Sequence, residues 1–94
     1  MYALHNASYL RRDGQVFFDS VVKAFAVVCQ EPQGYQAIIQ TQPNVLVRMF
    51  ASQRPGEVWV NGVRVEDWTY EEKANLVTFR LPYEENVVQV RWEV

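Results

Sequence analysis

Asn61-Gly62 stands between two short apolar runs, Val58-Trp59-Val60 and Val63-Arg64-Val65. Both central residues tolerate positive φ, which a two-residue type I′ turn requires at both positions, so the stretch predicts a tight β-hairpin. A hairpin commits its flanks to antiparallel pairing, and a period of two recurs through much of the chain. Leu76-Val77-Thr78-Phe79-Arg80-Leu81 places Val77, Phe79 and Leu81 on one face before Pro82 stops the strand. Val87 to Val94 alternates again, with Val88, Val90, Trp92 and Val94 expected inward. Asn44 to Ala51 and Glu57 to Val60 read as two adjacent strands joined by the turn-forming Gln53-Arg54-Pro55-Gly56.

The first half predicts three further strands, over Gln15 to Phe18, Val21 to Cys29 and Tyr35 to Thr41, with a turn at Asp13-Gly14. The Val21 to Cys29 run is apolar except for Lys23, and a short apolar run fits a buried helix as well as a strand. Its β-branched valines favour the strand. Strands this short and regularly spaced predict an all-β antiparallel β-sandwich forming a single domain over residues 1–94. The alternatives are a small Greek-key barrel, or an α+β fold if residues 21–29 are helical.

With 49% hydrophobic and 21% charged residues in a 94-residue chain, a core is affordable but a second, cofactor-binding domain is not. A formal net charge of −2 supplies no basic excess for phosphates or an anionic bilayer, so nucleic acid and membrane are not expected partners. One cysteine, Cys29, rules out an internal disulfide; in its apolar run it is expected to be a buried, inert thiol. A lone cysteine and an N-terminus without a basic segment leading into an apolar one point to the cytoplasm.

The inventory for catalysis is thin. His5 is the only histidine and lies near a terminus, and no phosphate loop, nucleophile elbow or histidine-carboxylate metal spacing occurs. The acids of the second half come as sequence neighbours, Glu66-Asp67, Glu71-Glu72 and Glu84-Glu85, at or beside turns where solvated carboxylates ordinarily sit. No cofactor, metal or catalytic residue is therefore expected, and the chain is not read as an enzyme. Trp59, Trp68, Tyr70, Tyr83 and Trp92 are the candidates for stacking on a ligand. Trp59 and Trp92 read as core anchors. Trp68 and Tyr70, two apart, share a face if the chain is extended there, either as a platform for a sugar ring or as cover for the sandwich edge. In the first case Asp67 and Arg64 would supply hydrogen bonds at the rim.

From about Phe50 to Val94 the chain resembles the C-terminal β-domain of the raffinose synthase and alkaline α-galactosidase group of glycoside hydrolases. The residues that carry the resemblance are Phe50-Ala51-Ser52-Gln53-Arg54-Pro55, Val60-Asn61-Gly62-Val63, Trp68-Thr69-Tyr70-Glu71 and Asn75 to Pro82. The resemblance implies an antiparallel β-sandwich that packs against a catalytic barrel, with the catalytic aspartates on the barrel and no counterpart here. The expectation is a non-catalytic accessory β-sandwich of a carbohydrate-active enzyme, which meets its barrel or another protein through an apolar face and contacts carbohydrate weakly. The alternative is a free-standing interaction module or small homo-oligomer without a carbohydrate role.

Overall fold

The computed structural model describes residues 1–94. Nine strands follow one another without a helix: β1 (Tyr2–Arg12), β2 (Gln15–Glu31), β3 (Gly34–Gln40), β4 (Val45–Phe50), β5 (Pro55–Val60), β6 (Val63–Val65), β7 (Thr69–Glu71), β8 (Leu76–Leu81) and β9 (Glu85–Trp92). All pairings are antiparallel, and together they form one continuous sheet curled on itself.

The curl is made by β2. Its C-terminal part, Phe25 to Glu31, pairs with β3, whereas its N-terminal part, Phe18 to Ser20, pairs with β4. The long strand thus belongs to two leaves. The first runs β6-β5-β9-β3-β2 and the second β2-β4-β8-β7. β1 follows β2 along its whole length, and its register slips between His5 and Ala7, between Ala7 and Tyr9, and between Leu10 and Arg11. Such irregularities let a hairpin bend with the sheet it edges.

The turns that set these pairings are local chemistry. Asp13 and Gly14 have φ of 50° and 80°, and Asn61 and Gly62 have 53° and 78°, the positive pairs of a type I′ turn. Gly34 opens β3 at a φ of 154°, with its α-carbon close against the backbone carbonyl of Val90 on β9. A methyl group there would collide with that carbonyl, so only glycine lets β3 and β9 pair at this point.

The faces turned inward form one cluster of 21 buried residues, to which every strand except β6 and β7 contributes. Phe79, Val77 and Leu81 of β8 oppose Val88, Val90 and Trp92 of β9 within it, as the alternation predicts. The strand reading of residues 21–29 holds and its helical alternative is ruled out, since Ala24, Ala26 and Val28 point inward while Phe25 and Val27 are exposed, a period of two; the separate strands expected over Gln15 to Phe18 and Val21 to Cys29 are one continuous strand. Three other expectations need correction. Cys29 is exposed, because it falls on the outer parity of β2. Trp59 lies outside the core cluster, beside Gln89 on the outer face, and its indole N–H donates to Glu57 at 2.9 Å. Val94 lies beyond the end of β9 and is fully exposed. The strands β4 and β5, adjacent in sequence, are in different leaves, and Ala51 to Arg54 carry the chain between them. No helix is long and apolar enough to cross a membrane.

Tyr35 is the largest fully buried side chain, and its hydroxyl has no hydrogen-bond partner in the protein. Burial raises its pKa well above the ordinary 10.0, and burial also raises that of Tyr2. The folded state therefore holds these protons after the unfolded chain has released them. The stability these two groups contribute is complete below pH 10.0 and is lost as the pH rises further. Replacing Tyr35 with Phe should stabilise the fold by about 1 kcal/mol at neutral pH, since an unpaired buried hydroxyl is removed, and should lessen the alkaline loss. Urea unfolding at neutral and alkaline pH checks both. Replacing Phe79 with Ala should cost about 3–5 kcal/mol in the same measurement.

Candidate functional site

The two outer faces of the curled sheet differ in chemistry. On the second leaf Arg48 bridges Asp19 at 3.0 Å and Glu71 at 2.9 Å. These carboxylates raise the pKa of the guanidinium further, Glu71 most. On the first leaf the pairing register aligns Ala3 with Val27, Val27 with Ile38 and Ile38 with Val87, one residue from each of β1, β2, β3 and β9. This row runs across four strands without a polar side chain. Ile38 is 59% exposed, Val87 48% and Val27 47%, and Phe25 continues the patch beside His5, ring to edge at 5.2 Å. Polar groups bound it: Arg91 faces Glu31 at 3.5 Å on one flank, and Gln40 donates to Glu85 at 3.2 Å on the other.

A groove of about 400 Å³ lies at the free end of the first leaf, between the β5–β6 hairpin and the β8–β9 turn. Arg64, Glu66 and Asp67 line it from one side, and Arg80, Pro82 and Tyr83 from the other. Its two walls are tied together by Asn86, the one buried polar residue of the chain, 1% exposed. The Asn86 amide donates to the Tyr83 carbonyl at 2.7 Å and to that of Ile39 at 3.5 Å. Its Oδ1 accepts from the Tyr83 backbone N–H and from the Asn61 side-chain amide, both at 3.2 Å. Asn61 in turn accepts the Val87 N–H at 2.8 Å. Every hydrogen-bonding valence of the buried amide is used, which offsets the cost of taking it out of water.

Of the four residues singled out from the sequence for sugar contact, the structure brings two to this groove. Arg64 and Asp67 line it; Trp68 and Tyr70 do not. Both aromatic rings are half-buried and pack against the core cluster. The Tyr70 hydroxyl donates to the Ala51 carbonyl at 3.0 Å, closing the corner where the chain passes between leaves, and burial raises its pKa. The pair lies partly withdrawn from solvent against the core, outside the groove that Arg64 and Asp67 line. The exposed aromatic of the region is Tyr83, 62% exposed. The sequence counts Tyr83 among its candidate aromatics, but only the tertiary pairing of β5 with β9 and the Asn61 and Asn86 hydrogen bonds bring it to one groove with Arg64 and Asp67. The one available signal was its place directly after the strand-ending Pro82.

No three His, Cys, Asp or Glu side chains converge as metal ligands would. No family model, no curated protein and no solved structure matches the chain. The site is thus described by its own geometry: an open groove, hydrogen-bonded across its base, with acids, guanidiniums and one aromatic side chain in its lining.

Replacing Asn86 with Ala strands the Tyr83 N–H and takes from Asn61 one of its two side-chain partners, leaving it the Val87 N–H. The expected loss of stability is about 1–3 kcal/mol in urea unfolding. Amide exchange should quicken at Tyr83 and Val87, while the distant β1–β2 hairpin stays protected.

Proposed function

We propose that this chain is a non-catalytic accessory β-sandwich that docks on the catalytic domain of a carbohydrate-active enzyme through the outer face of β1, β2, β3 and β9. The observation that carries the reading is the apolar row of Ala3, Val27, Ile38 and Val87, continuous across four strands and open to solvent. Contiguous exposed patches of this kind are uncommon on monomers and mark surfaces that meet another protein. An apolar centre with a rim of ion pairs and amides suits the flat side of a folded domain, since the centre loses water while the rim stays solvated. The resemblance of Phe50 to Val94 to glycoside-hydrolase C-terminal domains supports a catalytic barrel as that domain.

The test begins with the reading frame around these 94 residues. A catalytic barrel encoded in the same or the adjoining frame is expected to bind the wild-type chain. Replacing Ile38 with Lys should weaken that binding by at least about tenfold, 1.4 kcal/mol, while circular dichroism and the melting temperature stay unchanged. A discrete dimer of the isolated chain that this substitution splits would instead establish a homo-oligomer and overturn the accessory reading. So would a wild-type chain that remains monomeric and shows no affinity for an encoded barrel.

A further inference from the structure

We infer that the groove between the β5–β6 hairpin and the β8–β9 turn binds a neutral polyhydroxylated ligand, a short oligosaccharide, with the ring of Tyr83 as its stacking face. The inference does not rest on the docking face, and the two fail separately.

Tyr83 joins two properties that seldom coincide. Its ring is exposed, yet its backbone is gripped on both sides by one buried amide, the Asn86 side chain, which bonds to its N–H and its carbonyl. The same amide reaches Asn61 at the hairpin tip, so the two walls are hydrogen-bonded to each other. An aromatic face held in place loses little conformational freedom when a ring stacks on it.

The polar groups that share the groove with it are matched to hydroxyls. Arg80 is steadied by its Nη1, which donates to the Asn44 carbonyl at 3.1 Å and to Oδ1 of the same residue at 3.2 Å. Arg64 stands 3.7 Å from Glu66, a long and solvent-exposed pair, and Asp67 takes no part in any salt bridge of the protein. Donors and acceptors are therefore both available, as a sugar hydroxyl requires, because it gives one hydrogen bond and accepts others. Two guanidiniums against two carboxylates leave the lining without net charge, so a phosphorylated ligand or a charged peptide gains no overall attraction. The free edge beside the groove, β6, is three residues long, too short to hold an extended peptide by strand addition.

Amide chemical shifts recorded while the 94-residue chain is titrated with maltotriose, cellotriose and raffinose test this. At least one neutral trisaccharide should give saturable shifts, in the millimolar range, at Asn61, Arg64, Asp67 and Tyr83. Replacing Tyr83 with Ala should weaken the binding at least about tenfold, and replacing it with Phe should preserve it, because the ring face and not the hydroxyl makes the contact. Trp68→Phe and Ile38→Lys should leave it unchanged. Both Tyr83 variants alter an exposed side chain, and their remaining amide spectra report that the fold is intact. The inference is overturned if none of the three sugars produces saturable shifts, if the shifts persist undiminished in Tyr83→Ala, or if glucose 6-phosphate or a tetrapeptide binds the groove and the neutral sugars do not.

Discussion

The fold depends on one strand being shared. β2 gives its first part to β4 and its last part to β3, and without that division the nine strands would be two unconnected sheets. Sharing works because the side chains of β2 keep their inward parity on both sides of the bend. Phe18 fills the second leaf, and Ala24, Ala26 and Val28 face the first. β1 pairs along the other edge of β2, with Tyr2 beside Val28 and Leu4 beside Ala26, and so contributes Tyr2 and Leu4 to the same core. A strand that serves two leaves has an outer face as long as itself, and the exposed Phe25 and Val27 are the consequence.

The apolar row and the groove occupy what the core leaves over. The apolar row is the outer parity of four strands whose inner parity is already spent, and its exposure follows from sheet geometry combined with the choice of Val and Ile at solvent-facing positions. That choice is costly for a surface with no partner, since polar residues would serve β-structure and solubility better. The opposite leaf answers the same situation with the Asp19, Arg48 and Glu71 bridge. The groove has a different origin. It is the gap between a hairpin and a turn joined by the Asn61–Val87 hydrogen bonds and by the buried Asn86 amide, and a polar residue buried there serves geometry where an apolar one would serve packing.

Much of the strand pattern is legible in the residues themselves. The β8 and β9 alternations name their buried faces correctly, and Asn61-Gly62 lies at the tip it predicts. The first half is harder to read. β1 has no clean alternation around Asn6, Ala7 and Ser8, where its register slips and Asn6 takes a φ of 55°, so the strand is invisible to a period-two reading. Trp59 looks like a core residue by size and hydrophobicity, but its parity against Val58 and Val60 sends it outward. The spacing of Trp68 and Tyr70 fits a platform or a cover alike, and only the folded corner shows both packed in part against the core.

The sequence alone determined the local geometry: which residues turn the chain, which alternate, and which face of each regular strand is apolar. These follow from sterics at one residue or between next neighbours, where Asn and Gly accept positive φ and side chains point to alternate faces of a strand. The tertiary structure decided the partners. That β4 and β5 separate, that β3 joins β9, and that Arg64 and Asp67 share a groove with Tyr83 all depend on ladders between residues far apart in sequence. Those ladders are chosen by the closure of a single core over the bend in β2. No local pattern can encode that choice, because each strand offers the same unpaired backbone to every possible neighbour.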